Sequence, residues 1–343
     1  MDGQRPGDNL GGGIHERFSG RLLTSSKAPH YPSRPMRVVS LLPSATEVLC
    51  AIGGQHLLVG RSHECDFPAG LEHLPILTGQ RTHAATSAEI DAQVSAALGS
   101  GQSLYTLDVD RLRALKPDVI LTQDLCDVCS IDLATVRGAA ATMDPKPAVV
   151  SLNPTTLWQV LDDVLAVGEA VGMADQAQAT MVRLREGYWT AVDFVNPFVP
   201  GPPVLFLEWM DPPFVGGHWT PALINAAGAR HVLNEAGAKS RRVTPEDLLE
   251  AAPERIVICP CGFGLDRIER ELDALTTQRW WPLLPAVMSG DPDAIVLVDG
   301  NQMFNRPGPR LVDAFRWLVG WLNDRPELVP PGFPVRRLAD LRR

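Results

Sequence analysis

Arg37-Val-Val-Ser-Leu-Leu-Pro-Ser-Ala-Thr-Glu47 decides the fold. Its β-branched run reads as a short buried strand over 37–42, and Pro43 stops it. Ser44, with Glu47 three residues on, has the spacing of a capping box that opens an apolar helix. That helix is predicted to end at Gly53-Gly54, because glycine accepts the left-handed conformation a helix C-terminus favours, and a second short strand follows over 57–60. Strand, turn, helix and strand in this order form the repeating unit of α/β layers with a mostly parallel sheet.

Outward from that unit the pattern recurs. Thr86-Ser-Ala-Glu89 predicts another boxed helix through Leu98, Asp108 caps a short helix leading to a strand over 119–122, and a strand over 148–152 closes the first half. Leu157, Val160, Leu161, Val164, Leu165, Gly168 and Val171 fall at helical spacing, and Ala177, Met181, Leu184, Tyr188, Ala191 and Val195 resume it. One long helix, or two broken near Gly172, therefore spans the middle of the chain. Asp162 and Asp163 fall on its solvated face. Strands over 204–207, 256–259 and 295–298 restart the alternation. Two stretches echo across the halves, 50–58 in 225–233 and 112–122 in 248–258, as a duplicated lobe would require. The fold class expected is α/β, two Rossmann-like lobes with mostly parallel sheets joined by a long helix. The expected domains are a disordered extension (1–35), an N-terminal lobe (36–153), a connecting helix (154–195), a C-terminal lobe (196–323) and a tail (324–343).

The 343 residues, 45% of them hydrophobic, suffice for two packed domains. With 40 acidic against 31 basic residues the net charge is -9, and no basic run stands out, which argues against nucleic acid or anionic membrane as partners. No apolar run approaches the ~20 residues of a spanning helix. Residues 1–35 lack the apolar stretch of about 7–15 residues that a secretory signal carries, so a cytoplasmic location is expected, with organellar targeting as the alternative.

In open α/β sheets ligands sit beyond the carboxyl ends of the strands. The loops at those ends hold Ser62-His-Glu-Cys-Asp-Phe67, Gln123-Asp-Leu-Cys-Asp-Val-Cys129, Glu208-Trp-Met-Asp-Pro-Pro-Phe214, Cys259-Pro-Cys261 and Asp299-Gly-Asn-Gln-Met-Phe-Asn-Arg306. Five of the six cysteines converge on this one predicted cleft. Arg37 to Glu47, Leu115-Lys-Pro-Asp-Val-Ile120, Asp211-Pro-Pro-Phe214 with Gly216-Gly217, and Phe304-Asn-Arg-Pro-Gly-Pro-Arg310 together resemble the helical-backbone substrate-binding proteins for cobalamin and iron-siderophore chelates, over about residues 36 to 323.

The resemblance implies two lobes on a rigid helix, a ligand held between them and a small hinge motion. It makes Phe67, Trp209, Phe214, Asn301, Phe304 and Arg306 the first ligand contacts expected, aromatic faces against a macrocycle and polar groups on its periphery. His63, Gln80, Arg81, Gln123, Asp124 and Asp211 lie in the same or matching loops. It further implies an ABC transporter permease as partner, docked through one acid per lobe at Asp110 and Glu246, and a monomer is expected. A cobalamin or related corrinoid is the ligand expected.

Cys126-x-x-Cys129, Cys259-Pro-Cys261, Cys65 and His63 allow a second reading. Thiolates with an imidazole suit Zn, Cu(I) or an iron-sulfur cluster, in a metal-binding protein or metalloenzyme on the same scaffold, or could supply a lower ligand to a corrinoid cobalt or haem iron. No G-x-S-x-G, P-loop or H-E-x-x-H motif is present, so a binding protein is expected in preference to an enzyme.

Overall fold

The computed structural model describes residues 34–81, 86–100, 103–124 and 131–341. Cys126 and Cys129 lie outside them. The first lobe is built on a four-stranded parallel sheet of β1 (Val38–Ser40), β2 (Leu58–Arg61), β5 (Val119–Thr122) and β6 (Ala148–Ser151), in the order β2-β1-β5-β6. A separate antiparallel pair, β3 (Thr78–Gln80) with β4 (Tyr105–Leu107), stands beside it. The second lobe carries β7 (Val204–Met210), β8 (Pro213–Val215), β9 (Arg241–Arg242), β10 (Arg255–Ile258), β11 (Ile295–Val298) and β12 (Val335–Arg337), ordered β12-β11-β10-β7-β8-β9. Its centre, β11-β10-β7, is parallel and both flanks are antiparallel.

Both sheets are covered on two faces, which is why their central strands are predominantly apolar. Val38, Val119 and Leu121 pack on one side of the first sheet, while Val39 and Ile120 pack on the other. Alternation divides the second sheet the same way, Val204, Phe206, Val257, Val296 and Val298 against Leu205, Leu207, Ile256, Ile258 and Leu297.

The connector is a pair of helices, Leu157–Ala170 and Ala174–Val192, turning back at Gly172 with φ 71. Gly168 permits the close crossing: a Cβ there would lie 2.2 Å from that of Ala177. Leu157 and Val160 join the core of the second lobe, and Val164 and Val167 that of the first. The returning helix reverses this order, with Ala177 in the first core and Tyr188 and Ala191 in the second. Thr156 and Gln159 close a capping box at the start of this hairpin. Asp163 is half-buried, against the solvated position expected for it, and burial, reinforced by Asp162, pushes its carboxyl up to about 7.

Two other expectations need correction. The segment 324–343 is no tail, since β12 pairs with β11 and Leu338 is buried against the second sheet. The helix Pro43–Ala51 lacks the expected Ser44-Glu47 box: Pro43 starts it, Leu42 is the N-cap and no side chain caps it. Proline needs no partner for an N–H at that position, and Glu47 is engaged elsewhere.

Candidate ligand-binding cleft

Glu47 is buried where the lobes meet, its side chain 2% exposed. Arg310 Nε donates to its Oε2 at 2.8 Å and Arg310 Nη2 to Oε1 at 2.5 Å, while Arg306 Nη1 donates to Oε1 at 3.3 Å. The same Arg306 atom reaches Asp66 Oδ1 at 2.6 Å, and its Nη2 donates to the Glu64 carbonyl at 3.2 Å and to Asn301 Oδ1 at 3.2 Å. Asn301 Nδ2 donates to Asp66 Oδ2 at 3.0 Å. Glu47, Glu64 and Asp66 belong to the first lobe, and Asn301, Arg306 and Arg310 to the second. This charged seam therefore fixes the lobes edge to edge. Phe67 lies beneath the Arg310 guanidinium at 3.9 Å, so the ring expected against a ligand serves the seam.

Beside the seam a cleft of ≈ 660 Å³ separates the lobes, within the usual range for small-molecule sites. The first lobe lines it with His63, Glu64, Asp66, Gln80, Tyr105 and Gln123. The second contributes Glu208, Trp209, Phe214, His218, Ser240 and Phe263, with Lys239, Cys261, Arg267, Asn301 and Arg306. Trp209 is held edge-on to Phe263 at 5.0 Å, and its Nε1 donates to the Ser87 carbonyl of the other lobe at 3.2 Å.

Hydrogen bonding around His63 fixes its tautomer. The Thr78 hydroxyl donates to Ser62 Oγ at 3.1 Å and accepts the His63 backbone N–H at 3.1 Å. Its remaining lone pair faces His63 Nδ1 at 2.7 Å, so Nδ1 carries the ring proton and Nε2 keeps a bare lone pair. Nε2 is buried without a hydrogen-bond partner among the described residues, with Glu64 Oε1 3.9 Å away. Burial lowers the pKa of this ring, which keeps it neutral.

Two glutamates of the cleft are shifted toward their neutral form. Burial pushes the Glu64 carboxyl up, against the pull of Arg306. Burial also raises Glu208, despite the Ser240 hydroxyl donating to both its oxygens at 2.9 and 2.8 Å. The cleft arginines are occupied: Arg306 as above, and Arg267 Nε by Glu271 Oε1 at 3.1 Å, with its guanidinium 3.7 Å from the Phe263 ring centre. Burial and nearby Lys239 both lower the pKa of His218.

Of the residues expected at the ligand, the fold brings His63, Gln80, Gln123, Trp209, Phe214, Asn301 and Arg306 to the cleft. Phe304 goes elsewhere. It is 1% exposed in the second core against Phe206, because the short turn Met303–Asn305 directs it inward. Arg81, Asp124 and Asp211 are not among the cleft-lining residues, and the Asp124 backbone N–H is bound by Asn153 Oδ1. Asp110 and Glu246 are both exposed in first turns of helices, Asp110 paired with Arg113 at 3.1 Å.

Among the described residues no three His, Cys, Asp or Glu side chains are grouped to hold a metal ion. The Cys65 thiol lies 3.0 Å from Thr46 Oγ1, and burial pushes it up to about 11. Cys259 is fully buried, its thiol raised well above the usual range by burial and neighbouring Cys261. Such protonated thiols are poor ligands. The metal site expected from Cys65, Cys259 and Cys261 is therefore not assembled by the described residues, although Cys261 does line the cleft.

Tyr105, Glu208, His218 and Ser240 were not singled out from sequence. Tyr105 arrives on the small β3–β4 pair, and Glu208 sits within β7, which continues to Met210 and turns back as β8 where a loop was expected. A glutamate inside an apolar strand was the available signal for Glu208.

Two α/β lobes carried on a helical hairpin, with an aromatic and polar cleft between them, define a solute-binding protein. Residues 38–291 match the family described as periplasmic binding protein, and the chain belongs to it. Members of this family bind solutes and are not enzymes. The chain is 24% identical over 316 residues to the vitamin B12-binding protein of Photorhabdus laumondii, covering 88% of this chain and 94% of that one. Among solved structures it resembles the apo periplasmic haem-binding protein of Roseiflexus sp. RS-1 (20% identity, TM-score 0.65, 85% and 99% of the two chains covered). It also resembles the periplasmic vitamin B12-binding protein of Vibrio cholerae (18% identity, TM-score 0.60, 85% and 98% covered).

Proposed function

We propose that the cleft binds a metal chelate with a planar macrocycle, and that the ligand is a corrinoid such as cobalamin. The observation that carries the metal-chelate reading is the aromatic lining of the cleft, Trp209 and Phe214 from one lobe and Tyr105 from the other, around a space of small-molecule size. Here the metal would arrive as cargo, and Trp209, Phe214 and Tyr105 would bury the ring.

The choice of a corrinoid over a haem rests on charge. Arg306 and Arg267 are already bound to carboxylates of the protein, while Glu64, Asp66, Asp91 and Glu208 line the same space against one lysine, Lys239. A porphyrin with two propionates would meet carboxyls with the arginines committed, whereas the neutral peripheral amides of a corrinoid can hydrogen-bond to them. The curated relative named for vitamin B12 supports the same choice. By the family's habit, an ABC transporter permease meeting exposed Asp110 and Glu246 is the proposed partner.

Visible absorption tests this reading. Titrating the protein with hydroxocobalamin is expected to give a saturable spectral shift, weakened by Trp209→Ala. A shift unchanged in Trp209→Ala would remove that ring from the site, and no binding would remove the corrinoid reading.

A further inference from the structure

The outward face of the helix Ala174–Val192 carries a stripe that no part of the cleft uses. Met181, Val182, Arg185, Glu186, Trp189 and Thr190 line a shallow groove of ≈ 510 Å³ there, bounded by Gln178 and Asp193. Beside it Trp158, from the other helix of the hairpin, stacks on Trp189 with ring centres 5.9 Å apart, and Arg185 sits over the Trp158 ring at 5.7 Å. These indoles are 40% and 51% exposed, and Val182 is 42% exposed. Paired exposed tryptophans on a helical stripe are unusual for a surface that meets only water.

The order of residues along the stripe is its own complement. If a second copy of this helix is laid antiparallel on the first, with the two-fold axis between Arg185 and Glu186, Arg185 faces Glu186 of the copy and Glu186 faces its Arg185. In the same register Val182 faces Trp189, and Met181 faces Thr190, each twice. At the ends Gln178 faces Asp193. No like charges oppose one another, and the apolar residues fall on apolar or small partners. Glu186 has no ion-pair partner among the described residues, so the contact would supply one. Isologous matching of this kind is what a two-fold dimer demands.

We infer that the protein forms a two-fold homodimer through the helix Ala174–Val192, held by two reciprocal Arg185–Glu186 ion pairs flanked by Val182, Trp189 and Trp158. The stripe from Gln178 to Asp193 is about 22 Å long at a 1.5 Å rise per residue. A contact of this length on one helix lies at or below the small end of specific interfaces, and association is reversible and concentration-dependent. No stripe residue lines the cleft, so both clefts of the dimer stay open. This differs from the monomer expected from sequence.

Sedimentation equilibrium of the full chain over the micromolar range tests the dimer, with Arg185→Glu, Glu186→Arg and the double charge swap beside the wild type. The wild type is expected to dimerise. Each single variant places like charges together at the axis and should weaken association at least tenfold, and the double swap should restore it. Circular dichroism and thermal unfolding verify that each variant is folded. A wild type that stays monomeric throughout overturns the inference, as does a folded double variant that associates no better than the singles. Hydroxocobalamin titration of the same samples is expected to be unchanged, which separates failure of the dimer from failure of the corrinoid reading.

Discussion

The charged seam and the helical hairpin both join the two lobes, and they do so by opposite means. At the hairpin, Leu157, Val160, Val164 and Val167 run from one core into the other, and Gly168 lets the second helix close on them. At the seam, Arg306 and Arg310 cross to a buried Glu47, with Asp66 and Asn301 completing the set. Apolar burial is non-directional and supplies stability, whereas a buried ion set barely repays its desolvation and supplies geometry. The hairpin therefore holds the lobes together, and the seam sets the edge of the cleft and the posture of Asp66 and Asn301 within it.

Removing one partner of the seam should have the largest effect. Glu47→Ala takes the carboxylate from Arg310, which is 11% exposed, and leaves Arg306 with Asp66 as its remaining carboxylate, so a loss of about 3 kcal/mol in urea unfolding is expected. Replacing Glu47, Arg306 and Arg310 together by Met or Leu should recover most of that stability while cobalamin affinity stays low. Recovery of both would show that the seam does not shape the site.

An intermediate effect belongs to the hairpin, through Asp163. Its folded-state pKa, pushed up to about 7, exceeds that of an unfolded carboxylate, so its stabilising contribution is full below about pH 4 and is lost as the pH rises through 7. Asp163→Asn should match the wild type near pH 4 and exceed it above neutrality by on the order of 1–2 kcal/mol in thermal unfolding. Equal curves at all pH values would place the group in water.

The smallest effect compares the lobes themselves. Lys116 and Ala252 end corresponding helices at φ 45 and φ 43, each before a proline and a core strand. Left-handed backbone is costly for residues with a Cβ, so Lys116→Gly and Ala252→Gly should each stabilise by about 1 kcal/mol. Unequal responses would mean that the two lobes relax differently at this shared turn.

That shared turn was legible before any coordinates, as the echo of 112–122 in 248–258. Core strands were equally legible, because Val119–Thr122 and Ile295–Val298 are buried on both faces and are apolar but for Thr122. Caps read from local spacing succeeded where their partners are local, as at Thr86 with Glu89 and at Asp108. Glu47 was misread as a cap because its true partners lie 259 and 263 positions away, beyond any local pattern. Phe304 was misplaced for a related reason: in a tight turn, composition does not say which side chain faces inward. Strand β12 escaped notice because a short basic edge strand lacks the apolar run that marks a central one.

Calorimetric titration of the intact protein with hydroxocobalamin and, in parallel, with haemin tests the central claim most directly. One hydroxocobalamin per chain at micromolar or tighter affinity, with haemin at least tenfold weaker, is the predicted result. Tighter binding of haemin would contradict the reading of a cleft whose arginines are already committed to carboxylates of the protein.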